Sequence, residues 1–457
     1  MSKAKTPVRL LRMSAWLLPC LAVACIWLAP HRAAAADLLE TQKLALDNSP
    51  GLEAQRRNFL AQRQTRYIAF GSMLPSVVAR GSRENVNVDD VSSLGGERVG
   101  LGPTGGSTLY RRGWELELRQ SLFSSGKNFN EYRRTRADIL RSYHELRAAE
   151  QNILRSATMA HVDILRDQAV LELNRRNRDV LQRRYNETRD RFDLGLGNRT
   201  DVAQAESRLA RAERDANAAG VALQISRAGY AELTGEWPER LRPPAQLPRL
   251  PESREEAFKI AQLENPSLQA AKEVVRVARF RTLSAIGEVL PQVNLIASYG
   301  NTRNPDFASV GRTRLTTRLA IQASVPLFSG GRNTAGISAA RHAARAQTSG
   351  LETTLAATVR EIDAAWSNQV AIPVQIRAAR QQIVAAALAL DGVRQEQELG
   401  ARTVLDVLDA EQELLNARVA LVTAERDQIV ASYNLLAAIG RLTHDYLGLP
   451  PAETSVR

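Results

Sequence analysis

Two periodicities organise this chain. Leu408, Leu415, Val422, Ile429 and Leu436 recur every seven residues, as do Ile376, Ile383 and Leu390. That spacing keeps one helix face against a neighbouring helix in a left-handed supercoil. Elsewhere the step is two. Leu315, Thr317, Leu319, Ile321, Ala323 and Val325 alternate with Thr316, Arg318, Ala320, Gln322 and Ser324. Val293, Leu295, Ala297 and Tyr299 alternate with Gln292, Asn294, Ile296 and Ser298, and Trp114, Leu116 and Leu118 with Glu115, Glu117 and Arg119. These are strands with one apolar and one polar face.

Gly126 to Gly195 and Gly331 to Gly400 each span 69 residues with little turn chemistry. At 1.5 Å per residue they predict helical rods about 100 Å long. No compact core accommodates such a rod, so partners must lie along its length. The helices flanking Gly400 are expected to pair antiparallel. Pro373 is expected to bend the first of them, because it removes a hydrogen bond and crowds the preceding turn; the first copy has Gln168 there.

The two halves of the chain repeat each other. Asn48-Ser-Pro50-Gly-Leu52 answers Asn265-Pro266-Ser-Leu268, and Leu74-Pro75 answers Leu290-Pro291, with the prolines shifted by 216. Leu122-Phe123-Ser124 answers Leu327-Phe328-Ser329, and Gly195, Asp201, Ala205-Glu206, Leu209 and Ala212 answer Gly400, Asp406, Ala410-Glu411, Leu414 and Ala417, shifted by 205. The difference places an 11-residue insertion between Pro75 and Leu122 of the first copy. Each half therefore reads as helix, extended hairpin, very long helix, glycine break and second long helix. The first repeat is assigned to residues 37–236 and the second to 253–441. Between them, residues 237–252 form a linker, since Trp237-Pro238 to Pro251 holds five prolines in fifteen residues. Residues 442–457 form a tail.

Residues 1–36 read as a secretory signal peptide. Lys3, Lys5, Arg9 and Arg12 precede an apolar stretch from Ala15 to Pro30, and the small residues up to Ala36 form a cleavage site. A lipidation reading at Cys25 competes, because Ala22-Val23-Ala24-Cys25 loosely resembles a lipobox; Ile26-Trp27-Leu28 would then begin the mature chain. Both cysteines lie in this leader, so the mature chain has no disulfide, thiol catalyst or cysteine-ligated metal. The leader carries five Lys/Arg and no acid, so its removal lowers the net charge from +12 to +7. That charge, interleaved as Arg and Glu along helix faces, describes solvated surface and argues against nucleic acid as a partner. No later stretch has 18 apolar residues, so a membrane location requires strands.

Alternation alone fits a soluble sandwich as well as a membrane barrel. The leader decides for the barrel, together with Tyr110, Trp114 and Tyr299, placed near the hairpin tips where interfacial aromatics collect. Two hairpins give four strands per chain, too few to enclose a lumen. Several subunits must close it.

These features resemble the TolC family of outer-membrane export channels. The resemblance covers about residues 40–445 and rests on the repeated Leu-Pro before a strand and on Leu327-Phe328-Ser329-Gly330-Gly331 after one. It rests above all on Gly400-Ala-Arg402-Thr403-Val-Leu-Asp406-Val-Leu-Asp409-Ala410 at the start of the last long helix. The implied fold is mainly α with a small β-barrel portion. It is a homotrimer whose long antiparallel helices form a periplasmic α-barrel tunnel and whose strands, four per chain, form a twelve-stranded transmembrane barrel in outer-membrane lipid. The implied partners are a periplasmic adaptor and an inner-membrane ABC transporter or RND pump. The Arg-Thr-x-x-Asp-x-x-Asp wording resembles the type I secretion branch more than the lipidated drug-efflux branch, so export of a protein substrate is expected, with small-molecule efflux as the alternative. A poreless periplasmic coiled-coil scaffold is the alternative from outside the channel class.

By the same resemblance, Asp406 and Asp409, one above the other on a helix face, ring the tunnel's inner mouth, where crowded carboxylates favour cations and raise one another's pKa. Local chemistry offers a second explanation. Thr403 and Asp406 have capping-box spacing and Arg402 lies four residues before Asp406, whereas neither Leu405 nor Glu413 can neutralise Asp409. Arg402 matches the family's arginine that ties one chain to a neighbour through a pair corresponding to Thr200-Asp201. Two positions depart from the pattern: the gate tyrosine is Gln397 here, and a glutamine–glutamate link falls on Arg184 and Arg394. That link cannot form in the same way.

Other motifs carry no chemistry. Gly100-Leu-Gly102-Pro-Thr-Gly105 spells a dinucleotide fingerprint without the flanking strand and helix, and Pro103 sits where the helix would begin; it is expected to be hairpin loop. His31, His144, His161, His342 and His444 are scattered without ligand spacing. No catalytic pattern is present and no cofactor is expected.

Overall fold

The computed structural model describes residues 37–88, 107–244, 246–306 and 309–449. The leader with Cys20 and Cys25, the Gly100–Gly105 run and the end of the tail, residues 450–457, lie outside the described residues. Each half contributes four helices and two strands. The first runs α1 (Leu38–Asn48), α2 (Pro50–Gly71), β1 (Ser76–Val88), β2 (Ser107–Phe123), α3 (Lys127–Asp193) and α4 (Arg199–Thr234). The second runs α5 (Arg254–Glu264), α6 (Pro266–Gly287), β3 (Gln292–Arg303), β4 (Thr313–Ser324), α7 (Arg332–Glu398) and α8 (Val404–Ile439).

Corresponding helices have equal lengths. α1 and α5 have 11 residues, α2 and α6 have 22, α3 and α7 have 67, and α4 and α8 have 36. The longest ones also share their ends: Gly126 and Gly331 precede α3 and α7, Leu194 and Leu399 follow them, and Gly235 and Gly440 close α4 and α8. Ser49 and Asn265 cap α2 and α6 with a proline following each, as fits an N-terminus whose first amide has no helical partner. α7 runs unbroken through Pro373.

α3 packs along α4 and α7 along α8, and α2, α3, α6 and α7 lie side by side in that order. The antiparallel pairing across Gly400 is present, but its seam differs from the heptad line of the sequence. Ile372, Ile376, Ile383, Ala386 and Leu390 of α7 meet Val407, Leu414, Leu421, Ala424 and Ala431 of α8. The Leu408 line is turned one residue away. Leu408 instead enters a cluster with Leu181, Leu209 and Ala212 of the other helix pair. Ile429 and Leu436 of the same line lie in the core at the waist.

The largest core sits at the waist. There α1 and α5 pack against the middle of α3 and α7 and the end of α8, burying Leu38, Leu52, Leu154, Ile362, Leu435, Leu436 and Ile439. Each such side chain contributes about 1.5–3 kcal/mol of burial. Gly440 closes α8 at φ +87, and a Cβ there would overlap the backbone of Glu264 and Asn265.

The strands form one antiparallel sheet in the order β1-β2-β3-β4. Its register puts the apolar positions on one face: Val77, Leu118, Ala297 and Leu319 form one row, and Ala79, Leu116, Tyr299 and Thr317 the next. The other face is charged, with Arg80, Glu117 and Arg119 clustered and Arg111 bonded to Glu84. Among the described residues, β1 and β4 each leave one edge unpaired. No helix among the described residues is long and apolar enough to cross a membrane.

Candidate functional site at the helical turns

The α3–α4 and α7–α8 turns are built alike. After α3, Leu196 N–H reaches Arg191 O at 2.8 Å with Gly195 at φ +74; after α7, Ala401 N–H reaches Glu396 O at 2.8 Å with Gly400 at φ +77. Both are glycine-closed helix ends in which a left-handed residue lets the chain fold back to satisfy the last carbonyls. The following helices open on side-chain caps. Asn198 accepts from Thr200 N at 2.6 Å and from Asp201 N at 3.2 Å, and Thr403 forms a reciprocal capping box with Asp406.

Asp406 Oδ2 accepts from Thr403 N at 2.9 Å and from Thr403 Oγ1 at 2.7 Å. These bonds, aided by the charge of Arg402, hold its carboxyl below the usual aspartate range. Within one chain the direction is thus opposite to the rise expected from crowding, because two short hydrogen bonds favour the charged form. The Arg402–Asp406 pair that the spacing allows is not made directly: Arg402 Nε bonds Glu396 Oε2 at 2.8 Å, back across the turn.

Asp409 is not left without a counter-charge. Arg208 of α4 donates from Nη2 to Asp409 Oδ1 at 2.5 Å. Its neighbours on α8 supply no cation, as the spacing implied, but the tertiary fold brings one from a helix about two hundred residues earlier in the chain.

Gln397 and Asp201 line one narrow cleft between the two turns, with Arg184, Arg191, Val404 and Leu408. No direct bond joins Gln397 to Asp201 among the described residues. Thr200 and Asp201 open α4, and Arg402 does not reach them within the chain.

Above the cleft lies a group that the sequence reading did not anticipate. Glu411, with its side chain 4% exposed, receives Arg394 Nη2 at 2.9 Å and faces Arg184 Nε at 3.6 Å. α3, α7 and α8 meet on one carboxylate. The only available signal was that Glu411 repeats Glu206 and that Arg184 and Arg394 depart from the family pattern together.

At the other end of the molecule, Trp114 and Tyr299 meet edge to face with ring centroids 5.7 Å apart. Trp114 sits in mid-strand, because β1 and β2 run on to Val88 and Ser107, while Tyr299 lies four residues before the end of β3 at Arg303. Tyr110 lies on the same face, four residues nearer the tip. A second set of exposed apolar residues, Leu122, Phe123, Leu327 and Phe328, marks the base of the sheet, with Phe328 90% exposed. Along the sequence these residues stand out only as markers of the repeat.

Residues 42–236 and 258–441 match the model of a family described as outer membrane efflux protein. The chain is 32% identical over 338 residues to the outer membrane efflux protein BepC of Brucella suis biovar 1, covering 74% of each. It is 28% identical over 462 residues to the alkaline protease secretion protein AprF of Pseudomonas aeruginosa, covering 97% of this chain and 91% of that one. Its fold superposes on the crystal structure of the outer membrane protein VceC from Vibrio cholerae with a TM-score of 0.75 and 21% identity, over 88% of this chain and 96% of that one.

Proposed function

The chain belongs to the outer membrane efflux protein family, and on that premise we propose that it is the exit duct of a type I secretion system, passing a protein substrate across the outer membrane. The observation that carries the duct is the open, two-faced sheet. Four antiparallel strands with an apolar face, a charged face and two unpaired edges satisfy their backbone only when copies join edge to edge. Three copies close a twelve-stranded barrel, and their helices continue it as a periplasmic tunnel. A periplasmic adaptor and an inner-membrane ABC transporter load it.

Trp114 stands nine residues from Phe123 at the base of β2. At about 3.4 Å per residue and the usual strand tilt this spans about 23 Å, close to the apolar band of an outer-membrane barrel. Trp114 and Tyr299 then lie at the outer interface with Tyr110 above them, and Phe123 and Phe328 lie at the inner one.

At the opposite end, Asp406 and Asp409 of each copy face the tunnel's constriction. Arg402, Thr200, Asp201 and Gln397 hold the helix pairs together there, with Gly195 and Gly400 as the turns that move. The Arg184–Glu411–Arg394 group supports this reading, because it offers a closing contact where the family's glutamine–glutamate link is lost.

Protein export is favoured by the near full-length match to a protein named for alkaline protease secretion. Efflux of small toxic compounds is the second reading, favoured by the match to a protein named as an efflux protein. A deletion strain separates them. Loss of a protein from the culture medium with unchanged drug tolerance supports secretion; increased drug sensitivity with an unchanged set of exported proteins supports efflux.

A further inference from the structure

We propose that Arg208 sets the ion preference of the constriction by neutralising Asp409, so that Asp406 alone supplies its uncompensated charge. This rests on the reading above that both aspartates face the opening. The two carboxylates of one chain have different surroundings. Asp406 is held by the hydroxyl and amide of Thr403, and the nearest arginine, Arg402, is engaged with Glu396. Asp409 has a guanidinium in direct contact.

The exposures fit this division. Asp409 is 57% exposed and Arg208 only 27%, so the carboxylate faces open space while the guanidinium lies back against the helices beside Leu209. Such a pair contributes little to stability. It does alter the field, because each chain brings one net negative charge to the opening instead of two. In a narrow aqueous path between low-dielectric walls, fixed charge acts over a long range on passing ions. An arginine stays protonated at any accessible pH, so the compensation does not titrate away.

The duplicated scaffold does not impose this pair. At the 205-residue shift, Arg208 corresponds to Glu413 and Asp409 to Gln204. One of two equivalent sites therefore pairs a carboxylate with an arginine, whereas the other sets Glu413 opposite the position of Gln204 and has no arginine at either place.

Reversal potentials of the purified full-length protein in planar bilayers under a KCl gradient test the proposal. Arg208→Gln is expected to raise the K⁺ over Cl⁻ permeability ratio at least about twofold, and Asp409→Asn to lower it. The double variant Arg208→Gln/Asp409→Asn removes the pair without leaving a lone charge and is expected to return to the wild-type ratio. A double variant that matches Asp409→Asn instead would show that Arg208 lies off the ion path, and would overturn the proposal while leaving the constriction reading in place. Unchanged ratios in Asp406→Asn and Asp409→Asn would overturn the constriction reading itself. The comparison of the double variant with Asp409→Asn decides the matter even if Arg208→Gln alone yields no channels.

Discussion

Arg394 of α7 donates to the carboxylate of Glu411 on α8 at 2.9 Å, and Arg184 of α3 faces the same oxygen at 3.6 Å. Glu411 lies seven residues past Val404, the first residue of α8, so the contact sits about 10 Å up the helix from the turn. Among the described residues, the other carboxylate oxygen and Arg394 Nε are buried without a partner. The group therefore binds two helix pairs through one oxygen, and removal of the acid leaves two arginines facing each other.

Glu411→Gln is expected to weaken this contact by about 1–3 kcal/mol, below the usual cost of breaking a fully buried pair because both arginines are about one-third exposed. A loss of one or two kcal/mol shifts a two-state ratio by about 5–30-fold. Resting conductance in bilayers should rise accordingly, with thermal unfolding of the waist little changed. Unchanged resting conductance would remove Glu411 from the gate.

His161 couples the waist to pH. Its Nε2 donates to Arg242 O and its Nδ1 lies 2.8 Å from Thr41 Oγ1, so the neutral ring fits both partners. Burial pushes its pKa below the ordinary histidine value, against weaker opposing pulls from the Arg242 carbonyl and from Asp37. The unfolded chain then binds the proton more readily, so stability is complete above about pH 6.5 and falls as pH drops below that value. Melting temperatures measured from pH 8 to pH 5 should decline, and His161→Gln should flatten the slope. His144, also lowered by burial, leaves part of the decline in place. An identical slope in the variant would contradict the assignment.

Gly440→Ala places a side chain at φ +87 against the backbone of Glu264 and Asn265. The left-handed conformation alone costs about 1–2 kcal/mol, and the overlap adds to it. Gly400 also has positive φ, but a Cβ there meets nothing within 4 Å, so Gly400→Ala should cost only the conformational part. Chemical denaturation of the two variants should rank them in that order.

Phe328→Glu puts a charge on a side chain that is 90% exposed at the base of the sheet. A location at the inner membrane interface predicts loss of membrane-inserted protein, assayed by density fractionation of cell envelopes. A residue in open solvent would tolerate the change.

Much of this was legible because it is local. Leu-Pro, the glycine turns and the 205-residue shift are short-range signals, and the equal helix lengths follow them. Alternation in β2, β3 and β4 identified the apolar face because a strand's period of two leaves no freedom. The α7–α8 seam was displaced by one residue because heptad lines such as Leu408–Leu436 and Val407–Leu421 differ only in azimuth, which is set by the neighbouring helix pair. Arg208–Asp409 and Arg184–Glu411 were out of reach for the same reason. Each joins residues about two hundred positions apart on different helices, and nothing along the chain says which faces meet.

The central claim is that several copies pool open sheets and long rods into one closed conduit. Native mass measurement of the mature chain, extracted from envelopes in detergent, tests it most directly. The account predicts a trimer that requires detergent for extraction; a freely soluble monomer would contradict it.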